Sequence, residues 1–161
     1  MLNQQQIKFR DDFLSPWKQR FFYLKNLPMV LFSGTRVVCL DEEKSIAEVP
    51  FKWRNKNPFH SVYFAVQSMA AELSTAAPVF LALKGVNAST ALIIVDIKAD
   101  FAKKAQSKIT FTCLDYEKIT AAVEKLKYSG DISIVTAKTT GVDVLGDEVA
   151  TFYFTWSFKR R

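Results

Sequence analysis

Apolar and polar residues alternate strictly near the C-terminus of the chain. The apolar positions of this run are Phe152, Phe154, Trp156 and Phe158, and the positions between them are Thr151, Tyr153, Thr155 and Ser157. Successive side chains of a β-strand point to opposite faces of the sheet, so the alternation predicts a strand with two different faces. Similar β-rich runs predict five more strands, which lie in "TRVVCLD", "SIAEVPFKW", "TALIIVDIKADF", "SKITFTCLD" and "DISIVTAKTTGVDV".

A helical period replaces this alternation in mid-chain, in the stretch "NKNPFHSVYFAVQSMAAELSTAAP". Apolar residues recur there three and four positions apart, which places them on one face of a helix. These residues are Phe59, Val62, Tyr63, Val66, Met69, Ala70 and Leu73. Asn57 is the predicted N-cap, with Pro58 at the first helical position. Small residues and Glu72 occupy the other side, a pattern typical of a helix enclosed on both sides.

Two further helical segments complete the pattern. Residues 1–33 contain spaced aromatic residues and are predicted to form one or two amphipathic helices, broken near Ser15 and Pro16. A short helix is predicted in "YEKITAAVEKLKYSG". Six strands around one long helix predict an α+β domain in which the sheet curls around that helix. No repeat or linker interrupts the pattern, so we predict a single domain over residues 1–161.

The composition fits a globular protein. Hydrophobic residues make up 49% of the 161 residues and aromatic residues 14%, which is enough for a sizeable core. No apolar run reaches about 18 residues and no apolar signal region follows a basic start, so we predict no integral membrane segment and a cytoplasmic location. Cys39 and Cys113 lie in apolar runs, which suits buried thiols in a reducing compartment.

The formal charge of +6 changes this picture little. Much of the excess lies near the two ends of the chain, and no dense basic stripe with interleaved aromatic residues runs through the middle. We therefore predict no nucleic-acid partner. A phosphate-bearing small ligand or an anionic surface would account for the excess equally well.

Few residues in the sequence can carry chemistry. The single histidine, His60, cannot form a two-histidine metal site, and no phosphate or dinucleotide loop is present, so neither a metal nor a cofactor is predicted. Glu72 stands out because a carboxylate in an apolar helix must be paired, hydrogen-bonded or raised in pKa. An acid with a raised pKa is a candidate general base or nucleophile. The alternative is that Glu72 is solvated, or bonded to a neighbouring strand, and has no chemical role.

The order of elements and the central segment resemble hotdog-fold proteins of the thioesterase superfamily, in particular a branch related to the phenylacetic-acid-type acyl-CoA thioesterases. The resemblance runs from about residue 36 to residue 158. It implies a hotdog fold, with a curled antiparallel six-stranded sheet around a long central helix, and residues 1–33 as an extra helical segment. In that family an Asn ends the second strand, a His-Gly-Gly turn opens the helix, and an Asp or Glu lies fifteen residues after the Asn. Asn57 and Glu72 have this spacing.

The resemblance also implies roles for individual residues. Glu72 would activate water or attack a thioester directly, while amides near Phe64 and Ala65 polarise the carbonyl. Tyr63, Phe64 and Ala65 stand where the His-Gly-Gly turn would be, and His60 occupies a position that is usually Gly. The implied substrate-binding residues are Asn57, His60, Tyr63, Phe64, Ala65, Ser68 and Thr75. Four lysines are candidates to meet the phosphates of coenzyme A: Lys84, Lys103, Lys104 and Lys138.

The partner implied by the resemblance is an acyl-CoA or a related thioester. The resemblance also implies a homodimer or a dimer of dimers, with active sites between the two central helices. Two other hypotheses stay open. The absence of the His-Gly-Gly turn favours a non-catalytic acyl-CoA or lipid-binding module, and the aromatic N-terminal segment suggests a membrane-surface protein that uses Phe9, Trp17 and Phe21.

Overall fold

The computed structural model describes residues 1–86 and 89–161 of the chain. It contains the six predicted strands, the long central helix and the short helix, and its N-terminal segment forms three helices rather than the predicted one or two. In chain order the elements are α1 (Gln4–Leu14), α2 (Pro16–Asn26), α3 (Pro28–Ser33), β1 (Arg36–Leu40), β2 (Ser45–Val49), α4 (Phe64–Gly85), β3 (Thr90–Phe101), β4 (Ile109–Cys113), α5 (Tyr116–Val123), β5 (Ile132–Val142) and β6 (Glu148–Arg160).

One antiparallel sheet contains all six strands, in the order β1-β2-β4-β5-β6-β3. The central helix α4 packs against five of these strands, namely β1, β2, β4, β5 and β6, so that the sheet curls around the helix. In β6 the alternate residues Phe152, Phe154, Trp156 and Phe158 are each at most 3% exposed, which confirms the buried face predicted from the alternation. This arrangement is the hotdog fold, an α+β architecture, and the predicted fold class is therefore confirmed.

Helix α4 begins later than its apolar period predicts. The prediction that Asn57 is the N-cap and Pro58 the first helical residue is wrong, because the helix starts at Phe64 with Tyr63 as its N-cap. The Asn57 side chain accepts hydrogen bonds from the amides of Phe59 and Ser61 instead, so it forms a turn rather than a cap. At its other end α4 continues past Pro78 to Gly85.

The apolar character of α4 has a structural explanation. Among the described residues, α4 is the one helix whose length and composition would also suit a membrane span, and 72% of its apolar window is buried inside the protein. Because the sheet and α5 cover this surface, the composition is that of a core helix.

The N-terminal segment packs against the C-terminal part of α4. Helix α1 ends at Leu14 and α2 starts at Pro16, which confirms the predicted break. The buried Gln6 side chain attaches α1 to the core, because its Nε2 donates to the Leu81 carbonyl at 3.1 Å and to the Tyr116 hydroxyl at 3.2 Å. The N-terminal segment is therefore packed against the domain as part of it.

Candidate active site

The loop before α4 is shaped by Asn57. Its Oδ1 accepts three hydrogen bonds, from the Phe59 amide at 3.0 Å and from both the amide and the hydroxyl of Ser61 at 3.1 Å. The Val62 amide then donates to the Ala105 carbonyl at 2.8 Å, which holds the loop against the segment between β3 and β4. Since the Oδ1 atom is fully engaged, Asn57 positions the loop and does not itself offer this atom to a ligand.

His60 lies at the sharpest point of this loop. Its φ of 57° is in the left-handed region, where glycine is favoured, and it is the one non-glycine residue with positive φ in the described chain. This geometry agrees with the expectation that His60 occupies a position usually held by Gly. The side chain is exposed, and the backbone carbonyl accepts a hydrogen bond from Gln106 at 3.4 Å.

The start of α4 presents free backbone amides. Tyr63, as N-cap, has an extended backbone and its side chain makes no capping bond. Its carbonyl accepts from the amides of Val66 at 2.9 Å and Gln67 at 3.1 Å, whereas the amides of Phe64 and Ala65 have no acceptor in the described part of the chain. The positive end of the helix dipole lies at the same place, so these two amides are suited to stabilise an oxyanion.

A surface cleft of about 460 Å³ opens beside these amides. Its walls include four aromatic side chains that are 45–70% exposed: Phe59, Tyr63, Phe64 and Phe101. Lys103 and Lys104 lie on the same cleft, at the turn that follows β3. An apolar cleft with basic groups at its margin suits an acyl or aryl group attached to an anionic carrier.

Glu72 lies two turns further along α4 and does not line this cleft. It is half-buried, and its carboxylate makes no hydrogen bond or ion pair with any described residue. Burial without a compensating partner raises the pKa of Glu72 above its ordinary value. The structure thus retains the property that makes an acid a candidate base, since the carboxylate is neither solvated fully nor paired with a neighbouring strand.

The uncompensated burial of Glu72 has a consequence for stability. Because its pKa is raised on folding, the stability that the carboxyl contributes is complete below about pH 4.5 and is lost as the pH rises through the raised pKa. We therefore expect Glu72→Gln to be more stable than the wild type at neutral pH, with the difference vanishing below pH 4.5. Urea unfolding at both pH values measures this, and a variant that is less stable at neutral pH would contradict it.

Two other residues predicted for the site lie on the same face of α4 as Glu72. The Ser68 hydroxyl donates to the Phe64 carbonyl at 3.0 Å. The buried Thr75 hydroxyl donates to the Glu72 carbonyl at 3.0 Å and accepts from the Trp156 Nε1 at 3.3 Å. Thr75, three residues after Glu72, therefore connects α4 to β6. The hydroxyls of Ser68 and Thr75 both already donate to carbonyls within α4.

The four lysines predicted to meet phosphates are not close together. Lys104 is exposed on the cleft and has no ion pair with any described residue, whereas Lys103 is held by Asp143 at 2.8 Å and Asp147 at 2.6 Å. Lys84 lies at the far end of α4, roughly 30 Å from its start by helix geometry. Lys138 points away from α4, because its neighbours on β5 are buried and it is exposed. Within one chain, only the two lysines on the cleft are placed together.

Sequence reasoning missed several cleft residues, among them Phe101 and Gln67. Phe101, at the end of β3, packs edge-on against Phe152 with ring centroids 5.5 Å apart and still exposes half its surface to the cleft. Gln67 is buried and donates from Nε2 to the Val62 carbonyl at 3.0 Å, while its Oε1 has no partner among the described residues. A polar Gln inside an apolar helix was a visible signal, whereas the position of Phe101 depends on the sheet order.

Neither cysteine is arranged as a nucleophile. Cys113 is buried in β4, and desolvation raises the pKa of its thiol to about 11. Cys39 is partly buried, and desolvation together with the nearby Asp41 raises its pKa as well. Both thiols are therefore protonated near neutral pH, which leaves Glu72 as the candidate acid or nucleophile.

The architecture and the site at the start of α4 define a hotdog-fold protein. A probable thioesterase of unknown function from Pseudomonas aeruginosa is similar, with 20% identity, a TM-score of 0.74, and 93% of this chain and 99% of that one covered. A protein of unknown function from Chlorobaculum tepidum has 14% identity and a TM-score of 0.76, covering 92% and 99%. A thioesterase from Haemophilus influenzae has 15% identity and a TM-score of 0.62, covering 87% and 88%.

No protein-family model matches the chain, and no curated protein sequence matches it. The similar solved structures confirm, at the level of the fold, the resemblance to hotdog-fold proteins of the thioesterase superfamily. The similarity extends over 93% and 92% of this chain in the two bacterial proteins of unknown function.

Proposed function

We propose that this protein is an acyl-CoA thioesterase-like hydrolase. The observation that carries the proposal is the pair of groups on α4, namely an unpaired Glu72 with a raised pKa and free amides at the helix start. General-base catalysis needs the first and oxyanion stabilisation needs the second. The aromatic cleft beside the amides supports an acyl or aryl thioester as the substrate class.

In the proposed reaction, Glu72 removes a proton from water as the water oxygen attacks the thioester carbonyl carbon. The carbonyl oxygen becomes an oxyanion, which accepts hydrogen bonds from the Phe64 and Ala65 amides. When this intermediate collapses the C–S bond breaks, and Glu72 returns the proton to the departing sulfur, leaving a carboxylic acid and a thiol. If Glu72 attacks directly, the C–S bond breaks, the thiolate leaves and a mixed anhydride with Glu72 forms. Water then cleaves this anhydride, which releases the carboxylic acid and regenerates Glu72, and the thiolate takes a proton from water.

One chain does not bring these two groups together. Eight residues along a helix correspond to roughly 12 Å, and the Phe64 amide points toward the N-terminus, away from Glu72. A carbonyl bound at the helix start is therefore out of reach of the Glu72 carboxylate of the same chain. Two antiparallel copies of α4 would place the amides of one subunit beside Glu72 of the other, and we propose that the site forms between two subunits.

The edge strand β3 offers the surface for such a dimer. Within the described residues β3 pairs only with β6, so the other edge of this twelve-residue strand is open. It also exposes large apolar side chains, with Ile93, Val95, Ile97 and Phe101 each more than half exposed. A long, apolar, unprotected edge is a surface on which another strand pairs. Pairing of β3 with the β3 of a second copy would give one continuous sheet.

We expect the protein to be a dimer, or a dimer of dimers, in solution. Sedimentation equilibrium would measure its mass, and Ile97→Lys on the open strand is expected to lower the mass toward that of one chain. Lys125→Glu, which reverses an exposed charge after α5 and leaves both the strand and the cleft intact, is the control. A strictly monomeric wild type would contradict the shared site.

The hydrolase proposal is tested by measuring free-thiol release from a panel of acyl- and aryl-CoA esters. Turnover of at least one ester by the wild type is expected. A second candidate, a non-catalytic acyl-CoA-binding module, is favoured by the exposed Phe64 side chain, which lines the cleft at a position where the resemblance implies part of a His-Gly-Gly turn. Acyl-CoA binding in calorimetry without thiol release would assign this second function instead.

A further inference from the structure

The second helix of the N-terminal segment, α2, buries a glutamine and exposes several large apolar side chains. Of the side chains that α2 turns toward the domain, Gln19 is 5% exposed and Tyr23 2% exposed. The Gln19 Nε2 donates to the carbonyls of Phe13 at 2.9 Å and Val37 at 3.0 Å. The side turned to solvent carries Trp17, Phe21 and Leu24, which are 63–81% exposed. The domain therefore covers the Gln19 side of α2 and leaves the apolar side with Trp17 without a packing partner among the described residues.

The exposed apolar surface continues from α2 onto α3. A groove of about 840 Å³ runs between the two helices, and the side chains of Trp17, Phe21, Leu24 and Phe32 line it. Phe32 is 55% exposed, so the apolar surface belongs to both helices. We call these four side chains the aromatic patch. Phe9, which the sequence suggested for the same role, is not part of it, because Phe9 packs partly buried against the core and stacks on Phe13.

The charged side chains that line the two grooves at the aromatic patch are all positive. Arg20 and Arg54 line the same groove, and Lys18 and Lys25 line the adjoining one. Lys18 pairs with Asp12, whereas Arg20, Lys25 and Arg54 have no ion pair within the described residues. The sequence from Phe13 to Leu40 contains no Asp or Glu at all. The patch therefore combines exposed apolar side chains with positively charged side chains at its margin.

We propose that the aromatic patch docks the protein on an anionic membrane surface. Trp and Phe partition into the boundary between headgroups and acyl chains, while Lys and Arg beside them contact anionic headgroups. A second copy of the chain suits the patch less well, because a two-fold contact would bring Arg20 and Arg54 against the same cations of the other copy. None of the docking residues belongs to the proposed active site, so the docking does not depend on the proposed activity.

The test is co-sedimentation with vesicles of phosphatidylcholine, with and without phosphatidylglycerol, at low and high salt. Binding of the wild type to the anionic vesicles at low salt is expected, with weaker binding at high salt. Trp17→Glu together with Phe21→Glu should lower the partition coefficient by at least about tenfold. Arg20→Glu together with Lys25→Glu should lower it by at least about tenfold as well.

The matched controls replace residues of similar exposure elsewhere. Leu145→Glu introduces an acid at a side chain that is 81% exposed in the turn between β5 and β6. Lys125→Glu together with Lys127→Glu reverses two exposed charges after α5. Both controls should bind like the wild type, and urea unfolding should show that all variants are folded.

Three results would overturn the proposal. One is a wild type that stays in the supernatant with anionic vesicles at low salt. Another is a loss of binding in the controls as large as in the patch variants. The third is self-association of the wild type, without vesicles, that Trp17→Glu abolishes; this result would assign the patch to a second copy of the chain.

Discussion

Replacing Glu72 by Ala is expected to lower turnover of the preferred acyl-CoA ester by at least about a hundredfold, the usual scale for removing a positioned general base. The reason is that the half-buried carboxylate has no partner in the described chain and a raised pKa, so that it accepts a proton from water more readily than an ordinary glutamate. Free-thiol release under saturating substrate measures the effect, and KM is expected to change much less than kcat.

Glu43→Ala is the control for this experiment. It removes another acid, exposed in the turn between β1 and β2, and should leave the rate unchanged. The wild-type rate should also fall on the acid side as Glu72 becomes protonated, at a pH above the ordinary value for glutamate because burial raises its pKa. An active wild type whose Glu72→Ala variant keeps its full rate would refute the assignment of Glu72.

Removing the backbone amide of Phe64 is expected to cost about a hundredfold in turnover, the scale for losing one oxyanion donor. Phe64→Pro does this without breaking the helix, because Phe64 is the first helical residue and its amide has no intrahelical acceptor. Tyr63, with φ −61° and ψ 135°, already has the backbone that a residue before proline adopts. Phe64→Ala removes the same side chain and keeps the amide, so it is the matched control. Equal rates in the two variants would exclude this amide.

The same two substitutions test whether the site lies between subunits. A hybrid dimer of one Phe64→Pro chain and one Glu72→Ala chain would have one site with both lesions and one with neither. It should therefore recover about half of the wild-type turnover. If each chain had its own complete site, the hybrid would remain as inactive as its parents. Differently tagged chains, co-expressed and purified through both tags, provide this hybrid.

The strands were predictable because their signal is local. In β6 the alternation of Phe152 and Phe154 with polar neighbours reflects the geometry of every strand, whatever packs against it. The break between α1 and α2 is likewise local, since Pro16 restricts the backbone of the residue before it. The hotdog fold followed from the order of these elements together with the resemblance.

The start of α4 was not predictable in the same way. The apolar period runs back through Phe59 and Val62, and Asn57 is a good cap by type. The side chain of Asn57 nevertheless forms a turn with Ser61, and the Val62 amide pairs with Ala105, a residue more than forty positions away. A long-range hydrogen bond thus decided where the helix begins, and with it which amides are free.

By itself the sequence determined the six strands, the long apolar helix and the fifteen-residue step from Asn57 to Glu72, because periodicity and spacing are properties of neighbouring residues. Only the tertiary structure decided that Glu72 is half-buried without a partner, that the amides of Phe64 and Ala65 are free, and that α2 turns Trp17 outward and Gln19 inward. The physical reason is that burial, and which face of a helix is covered, depend on elements that are distant in the chain and meet only when the sheet curls around α4.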